Sequence, residues 1–328
     1  AGKSGGEFFT PQEVGELLAR IVIGDKKEVN KVYDPACGSG GLLLKFAKIL
    51  GKEHVRQGFF GQEINLTTYN LARINMFLHN INYNHFNIAR GDTLIHPKHW
   101  DDEPFDAIVS NPPYSIKWAG KSNPLLINDE RYAPAGVLAP ESKADLAFTM
   151  HMLSWLSPTG TAAIVEFPGV LYRGGAEQKI RKYMIDNNFV DTVIQLPPDL
   201  FFGTSIATCI LVLKKNKKDN NILFVDASDE FVRNTNKNKL SGENINNIVN
   251  LLKDRKSVDN KAYLAPYEKI KENDYNISVN SYLKKVTEEE QIDIKELNKQ
   301  IKEIIEKENI TRTELDKIIA ELESDSNE

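Results

Sequence analysis

An α/β fold, built on a doubly wound and mostly parallel sheet, is predicted by three features of this 328-residue sequence. Strand-length apolar runs alternate with helix-length amphipathic segments as far as about residue 214. The first run passes through a glycine turn, Asp34 to Gly41, straight into a helix. The next three runs end in Glu63, Asp92 and Asn111. Open α/β sheets bind ligands beyond the carboxyl ends of their strands, which is where these side chains would gather.

The segments follow in order. Residues 11–23, PQEVGELLARIVI, set Val14, Leu17, Leu18 and Ile21 at helical spacing, with Thr10 as a candidate N-cap. KVYDPACGSGGLLLKFAKIL reads as strand, glycine turn and helix. GFFGQEI is a second strand and LTTYNLARINMFLHN its helix. NIARGDTL is a third strand, closing on Asp92 and Thr93. FDAIVSNPPYS, residues 105–115, is the fourth, with Asn111, Pro112, Pro113 and Tyr114 at its tip. ADLAFTMHMLSWL is helix, GTAAIVEFP strand and EQKIRKYMIDNN helix. VDTVIQLP and SIATCILVLKK are two further strands, and the short link PPDLFFGT suits an antiparallel hairpin at one edge of the sheet.

Beyond about Lys214 the chain turns to Lys, Asn, Asp and Glu. FVDAS reads as a short strand ahead of a polar loop and a helix. The tail carries two capping boxes, Thr287–Glu290 and Thr311–Glu314, each followed by an apolar stripe. A C-terminal helical hairpin is therefore expected. Three parts result: a core over 1–215, a mixed α/β extension packed on it over 216–283, and a helical tail over 284–328 for contact with a partner subunit.

Composition narrows the classes. The net charge of −5 is uneven: Lys284 to Glu328 hold 8 basic and 14 acidic residues, the remainder 33 and 32. The overall acidity argues against a stand-alone nucleic-acid binder, though not against one that leans on a basic partner. No apolar run approaches the roughly 18 residues that span a bilayer, and no membrane association is expected. The two cysteines, Cys37 and Cys209, form no disulfide framework and suit a reducing cytoplasm. His96 and His99 lack a third ligand at metal-binding spacing, so no metal is expected.

The glycine turn lets a ligand approach the backbone at a helix N-terminus. Glu63, 22 residues past Gly41, stands where an acid accepts ribose hydroxyls. Asp92 is placed to receive an exocyclic amine of an adenine. Two adjacent prolines after Asn111 fix the direction of the backbone.

EFFTP, DPACGSGG, GQEI, GDT and NPPY, in this order, resemble the motifs of S-adenosylmethionine-dependent DNA adenine N6-methyltransferases. The sequence is most similar to modification subunits of type I restriction-modification systems, through about residue 228. The resemblance implies a Rossmann-like methyltransferase core with S-adenosylmethionine as cofactor. It implies that Glu7, Phe8, Phe9, Thr10, Pro11 and Gln12 flank the methionine moiety. Asp34, Pro35, Ala36, Gly38, Ser39, Gly40 and Gly41 would form the binding loop, Glu63 would hold the ribose, and Ile64 would be a further cofactor contact. Asp92, Thr93 and Asn111 would complete the cofactor site, and Asn111, Pro112, Pro113 and Tyr114 the catalytic corner. Members of that family carry a helical domain before FFTP, so the sequence reads as part of a longer protein.

The chemistry agrees with this resemblance. The adenine N6 amine is a poor nucleophile because its lone pair is delocalised into the ring. Acceptors at the Asn111 side chain and the Pro112 carbonyl would free that lone pair for in-line attack on a methyl group. The base must first leave the duplex and be held by stacking, for which Tyr114 is the expected ring. A cytosine-C5 enzyme would need a catalytic cysteine in this loop, and neither cysteine fits. Enzymes that methylate protein glutamine or RNA amines with the same corner are the alternative; a non-catalytic scaffold is disfavoured by the intact Asn111 and Tyr114.

No basic recognition helix follows residue 214. Specificity is therefore expected on a separate subunit, with double-stranded DNA, a second modification subunit and a restriction subunit as further partners. The long insert after the corner is expected to act as a lid. Arg173, Lys179, Arg181 and Lys182 beside Gly174 and Gly175 are candidate DNA-backbone contacts.

Overall fold

Residues of the central strands alternate between two apolar layers. Val32 and Val109 belong to one layer, Tyr33 and Ile108 to the other; Ala163 and Val165 alternate with Ala162 and Ile164 in the same way. Strands that are apolar on both faces need cover on both, which divides the helices between the two sides.

The computed structural model describes residues 9–235, 237–283 and 294–325. In chain order its helices and strands are α1 (Gln12–Ile23), β1 (Val29–Asp34), α2 (Gly41–Leu50), β2 (Val55–Glu63), α3 (Leu66–Leu78), β3 (Phe86–Arg90), β4 (Phe105–Ser110), α4 (Asp145–Trp155), β5 (Leu156–Glu166), α5 (Ala176–Asp186), β6 (Val190–Gln195), β7 (Cys209–Lys214), β8 (Ile222–Asp226), β9 (Val232–Asn234), β10 (Lys237–Lys239), α6 (Gly242–Asp254), β11 (Ala262–Ala265), α7 (Tyr267–Glu272) and α8 (Ile294–Asp325). Buried residues of α1, α2, α3 and α6 share the layer of Val32, while those of α4, α5 and α7 share the layer of Tyr33. Tyr33 stacks on Phe105 with ring centroids 4.4 Å apart.

The sheet has nine strands in the order β11-β8-β6-β7-β5-β4-β1-β2-β3. Strands β3 to β5 are mutually parallel through β2, β1 and β4, and β6 is parallel to β8. The doubly wound, mostly parallel sheet predicted from the sequence is present. The hairpin β6–β7 is antiparallel as expected, but it lies inside the sheet. FVDAS forms most of β8, which pairs with β6 and moves the edge outward to β11.

Three further expectations are corrected. Pro11, not Thr10, is the N-cap of α1, and no side chain caps that helix. The insert between Ser115 and Ala144 is no free lid: Leu126, Tyr132, Leu138 and Ala139 are buried. The C-terminal end is helical, but α8 is one helix of 32 residues where a hairpin was expected. It contains no glycine or proline to break it. Thr311 and Thr313 do not cap a second helix; their hydroxyls donate back to the Lys307 and Asn309 carbonyls (3.0 and 2.8 Å), a bond that a helix interior accommodates. The capping box at 287–290 lies outside the described residues. This helix belongs to a unit of its own, Lys285–Glu328. Among the described residues no helix is long and apolar enough to cross a membrane.

Candidate active site at the carboxyl edge of the sheet

Asp34, Glu63 and Ser110 are the last residues of β1, β2 and β4, so the sheet itself sets them side by side. Gly38 and Gly40 have φ of +53° and +81°, a left-handed backbone that favours glycine and turns the chain into α2. A Cβ at Gly40 would stand 3.1 Å from the Met76 side chain of α3. The Gly38 N–H donates to Glu63 Oε2 (3.0 Å), and the Asn75 amide donates to the Ser39 carbonyl (2.9 Å). Asp34 Oδ1 accepts from the Ala36 N–H (3.0 Å) and the Ser110 hydroxyl (2.9 Å), tying this loop to the strand that leads into Asn111. Burial pushes the Asp34 carboxyl up to about 7, against the pull of those two hydrogen bonds.

At the corner, Asn111 Nδ2 donates to Thr10 Oγ1 (2.9 Å), across 101 positions of sequence. The hydroxyl suggested as a helix cap thus serves the catalytic candidate. The Tyr114 hydroxyl donates to Asn111 Oδ1. Burial raises the Tyr114 pKa well above its ordinary value, so the phenol stays a donor. Ser115, at φ +51°, is held by Asp145 Oδ1, which accepts its N–H at 3.0 Å. Behind the corner, burial and then Asp145 push the Glu166 carboxyl well above the carboxylate range.

A cavity of about 580 Å³ opens over this edge, within the range of small-molecule sites. Phe9, Pro35, Ala36, Gly38, Ser39, Glu63, Ile64, Asp92, Thr93, Asn111 and Pro113 all line it. A recess of about 120 Å³ shares Phe9, Ala36, Gly38, Ser39 and Asn111 and adds Thr10, Pro11, Gln12, Asp34 and Gly41. Gly40, Pro112 and Tyr114 line neither, and Glu7 and Phe8 lie outside the described residues. Leu94, Trp118 and Phe148 also line the larger cavity and were not foreseen. Nothing in their local sequence marks them, because two come from the insert side of the fold and from α4. Phe167, directly after β5, is a second omission: its ring lies 5.0 Å from that of Tyr114, tilted by 58°.

Several readings change in the structure. Tyr114, expected as an open stacking platform, is only 5% exposed. Arg181, expected near DNA backbone, is buried and donates to the Val170 and Tyr275 carbonyls (both 2.9 Å). Lys182 is held by Asp186 and the Tyr275 hydroxyl (both 2.7 Å). His99 is buried between Asp102 Oδ2 (2.7 Å) and the Gly61 carbonyl (2.9 Å). Among the described residues no three His, Cys, Asp or Glu side chains converge as metal ligands. Both cysteines are buried free thiols, and burial raises their pKa values.

Arg131 anchors the insert. It is 1% exposed, pairs with Asp129 (2.7 Å), and donates to the carbonyls of Thr93 and Leu94 (both 2.8 Å) in the cavity wall. It also donates to His151 Nδ1 (3.1 Å), which puts the ring proton on Nε2, 3.0 Å from the Tyr33 hydroxyl. Burial and then Arg131 push the His151 pKa down, in keeping with a neutral ring.

The sequence model of N-6 DNA Methylase matches residues 1–291. The chain belongs to the N-6 DNA methylase family. It is 55% identical over 308 residues to the type I restriction enzyme MpnII methylase subunit of Mycoplasma pneumoniae, covering 91% of this chain and 56% of that protein. It is 34% identical over 314 residues to the MjaVIII methylase subunit of Methanocaldococcus jannaschii, covering 90% of this chain and 53% of that one. The crystal structure of a type I restriction-modification system methyltransferase subunit from Streptococcus thermophilus superposes with a TM-score of 0.81 at 40% identity, over 86% of this chain and 60% of that chain. The chain thus spans a little over half the length of the curated relatives it matches. The resemblance read from EFFTP, DPACGSGG and NPPY is to the same group of proteins.

Proposed function

We propose that this chain carries the methyl-transfer centre of a type I modification enzyme, acting on N6 of an adenine flipped out of double-stranded DNA. The observation that carries the reading is the orientation of the Asn111 amide. Thr10 takes its N–H side, so the oxygen is the atom left to accept, and the neutral Tyr114 phenol steadies that oxygen. Asn111 Oδ1 and the Pro112 carbonyl then accept the two N6 N–H bonds and make the nitrogen lone pair available.

The cavity fits S-adenosylmethionine. Its walls combine a left-handed glycine turn, carboxylates at two strand ends for hydroxyls and an amine, and apolar Ile64, Leu94 and Phe148 for a ring. When bound, the cofactor supplies a methyl group made electrophilic by its sulfonium. The protein's task is alignment: Thr10 orients Asn111, Asp34 ties the glycine loop to β4, and Glu63 braces the loop from β2. The Tyr114 and Phe167 rings stand too close to admit a base between them, since stacking on both faces needs about 7 Å between rings. They part when the adenine enters.

In this reading residues 1–215 are the transferase core, 216–283 an extension of it, and 284–328 the contact for a partner subunit. A separate specificity subunit chooses the sequence, with a second modification subunit and a restriction subunit completing the assembly. The glutamine or RNA alternative is disfavoured because the relatives are named as subunits of restriction enzymes.

Tritiated-methyl transfer by the full protein with its specificity subunit tests this. Label should enter DNA adenine, and Asn111→Ala should lower kcat about 100- to 1,000-fold, on the scale of one lost transition-state hydrogen-bond partner. Label in protein or RNA instead of DNA would refute it.

A further inference from the structure

The link between β6 and β7 is a finger with an aromatic tip. Leu196 N–H donates to the Thr208 carbonyl (2.9 Å) and Asp199 N–H to Ser205 (3.4 Å), so the pair continues past the end of the sheet. At the tip Phe201 is 1% exposed and Phe202 63% exposed. Gly203, at φ +85°, reverses the chain there. An exposed phenylalanine on a loose loop would call for no explanation. This one is clasped. Lys237, from the hairpin β9–β10, donates to the carbonyls of Phe201 (3.0 Å) and Thr204 (3.2 Å). Asn238 donates from its side chain to Pro198 (2.9 Å) and from its backbone to Asp199 (3.1 Å). The clasp holds the finger's backbone and leaves the Phe202 ring in solvent.

The finger also stands in a telling place. Cys209, the first residue of β7, is in register with Glu166, the last of β5. Only β5 separates β7 from β4, so at the spacing of sheet strands the finger's base lies about 10 Å from the strand that ends beside Asn111. That is less than the roughly 12 Å width of a major groove. The clasping hairpin, residues 232–239, contains Arg233, Lys237 and Lys239 and no acid. Asp199 pairs with Arg233 (3.4 Å) and Lys237 (3.8 Å), while Lys239 is exposed at the end of β10. A cationic rim beside an apolar point suits a polyanion with stacked bases inside.

We propose that Phe202 is a wedge that enters the duplex at the place vacated by the flipped adenine, with the hairpin β9–β10 as its brace against the DNA backbone. The proposal rests on the DNA reading above. A base that leaves the stack uncovers the faces of its neighbours, and an aromatic ring can cover them.

The test uses the assembled modification enzyme and two duplexes, one with the target adenine normally paired and one with it opposite an abasic site. Phe202→Ala should lose about 10- to 100-fold in methylation rate on the paired target, the scale of one lost aromatic–base stack. On the unpaired target it should stay within about threefold, because flipping there needs little help. Phe202→Trp should retain activity, and 2-aminopurine at the target position should lose its flipping fluorescence with the alanine variant only. An unchanged rate on the paired duplex, or an equal loss on both, would overturn the wedge. No label in DNA from the parent enzyme would overturn the DNA reading and the wedge together, and that result appears before any variant is compared.

Discussion

Replacing Arg131 by Met should be among the most damaging single changes outside the proposed catalytic corner. The guanidinium makes five side-chain hydrogen bonds, two to Asp129 and one each to Thr93, Leu94 and His151. Methionine fills much of the volume but leaves the Asp129 carboxylate, 15% exposed, without its charged partner and with only the backbone N–H of residue 131. Breaking a buried ion pair from one side costs about 3–5 kcal/mol. For a body of this size each kcal/mol moves Tm by roughly 2 °C, so a fall of about 6–10 °C is expected by circular dichroism. The Thr93 and Leu94 carbonyls belong to residues of the cavity wall, so titration calorimetry should show weaker cofactor binding as well. Adding Asp129→Leu to Arg131→Met should recover part of the loss, because the unpaired charge is gone. A Tm shift under about 2 °C with unchanged cofactor affinity would refute the view of Arg131 as the insert's anchor.

Thr10→Val removes the acceptor for Asn111 Nδ2 and should lower kcat about tenfold, one neutral hydrogen bond, with a smaller change in cofactor affinity; equal kcat would refute the orienting role. Asp34 ionises near 3.8 when unfolded and at about 7 when folded, so folding takes up a proton between those values and stability falls as pH rises through that window. The shift corresponds to up to about 4 kcal/mol, and Asp34→Asn should flatten the decline in urea titrations between pH 4 and pH 8. Deleting residues 287–328 should abolish co-purification with the specificity subunit while calorimetric cofactor binding persists; retained assembly would refute the tail's role.

What the sequence disclosed was local. A strand, a left-handed glycine turn and a helix lie within residues 29–50, so the loop carrying Asp34 and Gly38 could be read directly. Asn111 announced itself through the two prolines behind it. What the sequence hid was decided at a distance. Thr10 looks like a helix cap because a hydroxyl before an amphipathic run usually is one, yet its partner is 101 residues away. Arg181 reads as a DNA-backbone contact and nothing local marks Arg131, since a buried guanidinium is legible only through the carbonyls that receive it. Thr311 and Glu314 have the spacing of a cap, but no glycine or proline interrupts the helix there and it runs through. Trp118 and Phe148 reach the cavity from elements that no motif marks.

The position of β7 has a consequence for synthesis. Strands β1 to β5 can pair as soon as Glu166 has emerged, but the next strand, β6, pairs only with β7 and β8, both of which come later. Until Cys209–Lys214 arrive, β5 is an open edge with unsatisfied backbone groups. At the usual pace of translation the interval from residue 166 to residue 214 lasts roughly 2–10 s. During those seconds the half-built sheet is exposed to the wrong strand, and the antiparallel newcomer in the middle is the one that seals it.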